Sequence, residues 1–319
     1  MSEQISENKS KRLNSYLWTE KYRPESISVV ILPTTMKNLF KKFIEQKEVP
    51  NILLYSSTPG TGKTTAAKAL LNDCNYDYIY INASSENGID VLRDRISKFA
   101  SMASYDDRNK AVILDEFDGA SANLQAALKA FIEEFHKHCR FIITCNHITK
   151  IIEPLKSRLQ LIDFNFSDDK NKAAHSDKIY KRLVKVLERE KIDFEPEILT
   201  KIVATYYPDM RRMLNILQRY STENGIINND IFNYDKIDEE FYELILNRKI
   251  TQAREYIIQK NYNYDELYRS LFDNLIPKME KQLRGPAIVT IAQYQYWSSQ
   301  VMDKEINFTA CLIELISLD

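Results

Sequence analysis

Five short apolar runs mark the first half of the chain: Ile52 to Ser56, Tyr78 to Asn82, Ala111 to Asp115, Phe141 to Cys145 and Gln160 to Phe164. Each has the length and side-chain type of a strand, and segments of helical character separate them. Runs of nearly continuous apolar character belong to strands covered on both faces, which is how a parallel sheet built from βαβ units is buried. The pattern therefore predicts an α/β domain with a five-stranded parallel sheet over about residues 16–166. Leu124, Leu128, Phe131 and Phe135 recur at steps of four, three and four, which places them on one helix face as a core stripe.

Past residue 166 helices replace strands. Ser167, Asp168 and Asp169 resemble a helix cap, and Lys178, Lys181, Arg182, Lys185 and Arg189 read as the solvated face of a basic helix. Another helix starts after Pro208 and carries Arg211 in its first turn. Glu223-Asn224-Gly225 and Asn228-Asn229-Asp230 have linker composition. The expected division is a flexible start over 1–15, the sheet domain over 16–166, a small helical lid over 167–228 and a helical domain over 229–319. The last helix, Phe308 to Ile316, is apolar nearly all round, so it is expected to be buried, either in a bundle core or against another subunit.

Composition adds limits. Hydrophobic residues at 44% and charged residues at 28% are those of a globular protein. No run approaches the roughly 18 apolar residues of a membrane span, and the opening residues have no apolar signal core, so no membrane contact and a cytoplasmic setting are expected. A formal net charge of −1 shows no global bias toward nucleic acid, yet 44 basic side chains leave room for a local basic surface. Cys74, Cys139, Cys145 and Cys311 lack metal-type spacing and read as inert thiols.

The chemistry begins where the first strand ends. Ser56-Ser57-Thr58-Pro59-Gly60-Thr61-Gly62-Lys63-Thr64-Thr65 lies between a strand and a helix, the context that makes a phosphate-binding loop more than a chance match. Gly60 and Gly62 let successive N–H groups turn toward phosphate oxygens, and the helix N-terminus adds its positive dipole end. Lys63 is expected at the β- and γ-phosphates of ATP, and the Thr64 hydroxyl at Mg²⁺. Ser57 stands where this loop usually starts with Gly. The third strand ends in Asp115 and Glu116, at the edge where parallel sheets bind ligands. Asp115 is placed to hold Mg²⁺ and Glu116 to deprotonate an attacking water. Asn146, at the end of the fourth strand, suits a γ-phosphate sensor, although a turn role is open to it too. Arg158 is too near the domain edge to reach its own phosphates easily, but could reach a neighbour's. Arg211 could swing to the γ-phosphate if the lid covers the nucleotide. Trp18 and Tyr22 could form a surface strap or a wall of the base pocket.

Together these segments resemble the AAA+ ATPase subunits of replication sliding-clamp loaders, the replication factor C family, and most of all its large-subunit branch in tailed bacteriophages. Thr19-Glu20-Lys21-Tyr22-Arg23-Pro24 is similar to the family's N-terminal box, Ser157-Arg158-Leu159 stands where the family has Ser-Arg-Cys, and Pro208-Asp209-Met210-Arg211-Arg212 matches the lid motif with Pro208 in place of Gly. The resemblance implies that Tyr22, Arg23 and Pro24 line the adenine pocket, that Arg158 is an arginine finger acting in trans, and that Arg211 is the second sensor. It also implies that the last domain is a collar in a pentamer of this chain with a smaller loader subunit. The partners would be a ring-shaped clamp and primer-template DNA, with Arg93, Arg95, Lys98, Arg108 and Lys110 as phosphate contacts. The alternatives are another AAA+ DNA motor and a non-hydrolysing, ATP-dependent scaffold subunit.

Overall fold

The computed structural model describes residues 16–83, 89–102, 108–166, 169–234, 239–260, 262, 264–298 and 300–318. The flexible start expected over 1–15, residues 84–88 of the stretch 84–93 that the family resemblance sets toward DNA, and the cap residues Ser167 and Asp168 lie outside the described residues. The chain divides into two compact units, one up to Asn229 and one from Asp230 onward.

The first unit opens with a single helical turn, α1 (Trp18–Lys21), followed by α2 (Thr34–Gln46). The sheet domain then alternates β1 (Ile52–Tyr55), α3 (Lys63–Asp73), β2 (Asp77–Asn82), α4 (Ile89–Ser101), β3 (Lys110–Asp115), α5 (Ala122–Glu134), β4 (Cys139–Cys145), the short α6 (Glu153–Lys156) and β5 (Gln160–Asp163). All five expected strands are present. The sheet is parallel throughout, in the order β2-β3-β4-β1-β5.

Side-chain alternation explains why both faces are covered. Ile52, Leu54, Ile113 and Ile142 point into a core with Phe40, Ala66 and Leu70 from α2 and α3. Leu53, Val112, Leu114, Phe141 and Ile143 point the other way, against Leu124, Leu128 and Phe131 of α5. With period two, β1, β3 and β4 each feed two cores, which is why those runs read as continuously apolar, whereas the edge strand β5 turns Ile162 inward and leaves Leu161 44% exposed. Because β1 lies between β4 and β5, the chain after β1 leaves the carboxyl edge at a point where the strand order reverses, the usual crevice for a ligand.

The rest of the first unit is α7 (Asp169–Glu190), β6 (Asp193–Phe194), α8 (Pro196–Tyr206), α9 (Met210–Asn224) and β7 (Ile226–Ile227). Asp209 caps α9 by accepting the Arg212 N–H at 2.9 Å, and Gly225 ends it with φ of +72°. β6 and β7 form a two-residue parallel ladder. Trp18 is buried, and its N–H donates to Gln218 Oε1 of α9 at 2.8 Å, so the N-terminal turn is pinned to the lid helices.

The second unit is helical: α10 (Ile231–Tyr234), α11 (Glu239–Leu246), α12 (Ile250–Lys260), α13 (Tyr264–Ser270), α14 (Lys281–Ser298) and α15 (Lys304–Ile316). Phe241, Tyr242, Tyr268 and Phe308 fill its core. On α15, Phe308, Cys311, Leu312 and Leu315 face the core, while within the single chain Ile306 and Ile313 are 68% and 49% exposed. All four cysteines are buried and free. Burial pushes the thiols up, to about 11 for Cys74 and about 12 for Cys139, Cys145 and Cys311. Among the described residues, no helix is long and apolar enough to cross a membrane.

Phe40 is fully buried between α2 and the sheet. Phe40→Ala is expected to destabilise the first unit by about 3–5 kcal/mol, read from urea unfolding. A midpoint like that of the wild type would contradict the packing described.

Candidate nucleotide site

The loop between β1 and α3 turns on two left-handed glycines, Gly60 with φ of +70° and Gly62 with φ of +93°. Ser56 tightens it from within, donating to Thr58 O at 2.8 Å and accepting the Thr58 N–H at 3.1 Å. The Thr61 hydroxyl is buried and has no hydrogen-bond partner among the described residues. Ser57 earns its place through Asn165: its N–H and hydroxyl both donate to Asn165 Oδ1, at 2.8 and 2.7 Å. Asn165 in turn donates its side-chain amide to Asp163 Oδ1 at 2.6 Å. The start of the loop is thereby tied to the segment that leads from β5 into the lid. Ser57 and Thr58 shape the loop and do not line the cavity, whereas the stretch from Pro59 through Thr65 does. A Cβ at Gly60 would lie 1.7 Å from Asp209 Oδ1, so the capping carboxylate of α9 rests against the loop where only glycine fits.

Lys63 begins α3 and is 8% exposed. Its ammonium donates to Asn146 Oδ1 at 2.9 Å, and burial holds its pKa below the ordinary lysine value. A desolvated ammonium, an orphaned hydroxyl and a helix N-terminus converge, and such a cradle favours an anion. Beside it the Asp115 carboxylate accepts three hydroxyls: Thr64 Oγ1 at 2.6 Å and Thr144 Oγ1 at 2.5 Å on Oδ1, and Tyr80 OH at 2.8 Å on Oδ2. Thr64 and Asp115 are two hard oxygen ligands side by side, the type of partial set that Mg²⁺ completes with phosphate oxygens and water. Glu116 has a left-handed backbone with φ of +56°, its N–H donates to Thr144 Oγ1 at 3.1 Å, and its carboxylate accepts from Asn82 Nδ2 at 3.4 Å. Tyr80 and Thr144 carry no sequence signal, because only the register of β2, β3 and β4 brings their hydroxyls to Asp115.

The cavity extends from the loop to an apolar end lined by Val30, Ile31, Pro24, Ile179 and Leu214. Tyr22 and Arg23 line it as well. The Tyr22 hydroxyl donates to Glu190, which also pairs with Lys21 at 2.6 Å. Arg182 departs from the expected solvated face: its guanidinium lines the cavity and donates to Tyr22 O at 2.8 Å. Lys178, Lys181, Lys185 and Arg189 are exposed as expected. Arg211 also lines the cavity, whereas the Arg212 guanidinium lies 5.0 Å from the Tyr206 ring centre. His175 is buried at the apolar end, within reach of Tyr207 OH at 3.1 Å and Ile31 O at 3.4 Å, and burial lowers its pKa.

Arg158 lies outside this cavity. It donates from Nε to Glu133 Oε1 at 2.7 Å and from Nη1 to Pro154 O at 2.7 Å. Arg93, Arg95 and Lys98 are exposed on α4; Lys98 pairs with Asp94 at 2.6 Å, and Arg95 donates to Tyr80 O at 3.3 Å. Arg108 is half-buried. Lys110 does not fit the expected DNA contact: it is 6% exposed, and its ammonium donates to Met102 O and, at 2.7 Å, to Phe99 O. The carbonyls at the end of α4 hold that charge inside the protein.

Fold and site define a P-loop ATPase of the AAA class. The profile of the ATPase family associated with various cellular activities (AAA) matches residues 52–167. The sliding-clamp-loader large subunit of Escherichia phage RB69 is 34% identical over 82% of this chain and 84% of its own length. That of Enterobacteria phage T4 is 32% identical over 82% and 85%. The replication factor C small subunit of Sulfolobus acidocaldarius is 33% identical over 94% and 95%. A solved structure of the Thermotoga maritima RuvB Holliday junction branch migration motor shares the fold, with a TM-score of 0.53 at 16% identity over 70% of this chain and 78% of that one. The chain belongs to the sliding-clamp-loader and replication factor C family of AAA ATPases.

Gly60→Ala must displace Asp209 and adopt a left-handed backbone, which alone costs about 1–2 kcal/mol. Its affinity for a fluorescent ADP analogue is expected to fall about tenfold or more, about 1.4 kcal/mol per factor of ten; unchanged affinity would contradict the seating of α9 on the loop. His175 gives a pH signature. Its folded pKa lies below its ordinary value near 6.5, so the unfolded chain binds the proton more readily, and stability present above that value is lost as pH falls through it. His175→Gln is expected to flatten the acid limb of the thermal midpoint between about pH 7 and pH 5; an unaltered slope there would contradict it.

Proposed function

We propose that this chain is the ATP-hydrolysing subunit of a DNA sliding-clamp loader, working in a hetero-oligomer that places a ring-shaped processivity clamp on primer-template DNA. The observation that carries the reading is the single constellation of Lys63, Thr64, Asp115, Glu116, Asn146 and Arg211 around one cavity, in a chain of this family. ATP is the substrate. Its base lies toward Tyr22, Arg23, Pro24 and Ile31, and its phosphates lie along the stretch from Pro59 to Thr65. Lys63 and Arg211 bind the terminal phosphates, and Asn146 orients the attacking water together with the γ-phosphate. Glu116 takes the proton from that water. Thr64 and Asp115 hold Mg²⁺, which supplies charge neutralisation between the phosphates when bound.

Arg158 lies on a separate surface, which suits action on the nucleotide of a neighbouring subunit. ATP at the seam orders the assembly and holds the clamp open; hydrolysis releases it closed around DNA. The sheet domain over 16–166 and the lid over 167–228 form the motor, and the helices over 229–319 form a collar that joins a pentamer with a smaller subunit. Arg93, Arg95, Lys98 and Arg108 contact the DNA backbone, which positions a duplex without reading its sequence. The setting is the cytoplasm, that of the host cell if the chain is viral.

In the assembled complex, Glu116→Gln is expected to lower steady-state ATP turnover by about 10²–10⁴ with nucleotide binding retained, as for loss of a general base. Arg158→Ala is expected to lower turnover of the complex by about 10³–10⁵ while leaving nucleotide binding by the separate chain unchanged. Wild-type turnover in either variant would remove the role assigned to that residue.

A further inference from the structure

The Asp115 carboxylate accepts three hydroxyls, and these donors differ in kind. Thr64 is one of the two residues assigned to the cation, whereas Thr144 and Tyr80 approach from β4 and β2. In the β2–β3 register Tyr80 lies opposite Ile113 and Asn82 opposite Asp115, and residues two apart on a strand share a face. The Tyr80 ring therefore lies along the sheet surface beneath Asp115, where its hydroxyl reaches Oδ2 at 2.8 Å while the threonines occupy Oδ1.

A second contact fixes the ring. Lys68 Nζ lies 4.1 Å from its centroid. Lys68 belongs to α3, the helix that begins with Lys63 and Thr64, so the ring is held between the strand that supports the acid and the helix that carries the phosphate loop. A cation at that distance from an aromatic face is attracted by the ring quadrupole.

We propose that Tyr80 is a positioning residue for the cation at the site, fixing the rotation of the Asp115 carboxylate through Oδ2 so that Oδ1 stays turned toward Thr64. The inference rests on the assignment of Thr64 and Asp115 to Mg²⁺. A neutral donor suits the task. Lysine or arginine in its place would bring a full positive charge that competes with the metal, whereas a phenol orients the carboxylate and leaves its charge in place. Groups that orient a metal ligand typically contribute about 10–100-fold to metal affinity.

The test is binding of a fluorescent ADP analogue to the full chain, titrated with Mg²⁺ and repeated in EDTA, for wild type, Tyr80→Phe, Lys68→Met and Asp115→Asn. Tyr80→Phe removes one oxygen and is expected to raise the Mg²⁺ concentration for half-saturation about tenfold. Its affinity in EDTA should be unchanged. Lys68→Met, which leaves the hydroxyl in place, should shift it the same way by less. An unchanged Mg²⁺ requirement in Tyr80→Phe, with a raised one in Asp115→Asn, would overturn the role of Tyr80 and leave the cation assignment standing. Equal losses in EDTA and in Mg²⁺ would overturn it as general damage to the fold. An Asp115→Asn requirement equal to that of the wild type would overturn the cation assignment, and the inference with it.

Discussion

A buried ammonium at the start of a helix is the constraint around which the first unit is arranged. Lys63 is almost removed from solvent, and its partners, Asn146 Oδ1 and at 3.4 Å Thr58 O, are dipoles without formal charge. Desolvation without full pairing is costly for a cation and lowers its pKa, as it does here. The Asp115 carboxylate is turned toward hydroxyls. With backbone donors supplied by a loop that only glycine can turn at residues 60 and 62, the balance of charge at the edge of β1 favours a polyphosphate. The sheet supplies rigidity: β1 is flanked by β4 and β5, so Lys63, Asn146 and Asp115 are fixed by neighbouring strand ends.

The lid reaches this centre by several routes within the same unit. Asp209 rests on Gly60, Asn165 holds Ser57, Glu190 accepts from Tyr22, and Arg182 donates to the Tyr22 carbonyl. Each joins a residue of the phosphate loop or the N-terminal segment to the helices after residue 166 or to the segment entering them. The phosphate loop and the helices after residue 166 are therefore tied together at several points within the first unit. Arg158, held by Glu133 away from the cavity, is consistent with a finger offered outward.

Features that depend on local pattern were legible in the residues. The central strands β1, β3 and β4 declared themselves because each is buried on two faces, and the phosphate loop did so because its glycines, lysine and flanks occur at fixed spacing. Features that depend on register were not legible. Tyr80 reads as an ordinary strand aromatic, and Thr144 as a β-branched filler, until β2, β3 and β4 are aligned. Charge alone misled at Lys110, whose ammonium is consumed by the carbonyls ending α4, and at Arg182, which lies on a basic helix but turns inward toward the Tyr22 carbonyl.

The measurement that bears most directly on the account is steady-state ATP turnover of the complex purified with its partner subunit, with and without a sliding clamp and primer-template DNA. A clamp loader should turn over slowly alone and respond strongly only when clamp and DNA are both present. Stimulation by DNA alone, indifferent to the clamp, would contradict the account and point to a DNA motor of the kind whose fold this chain shares.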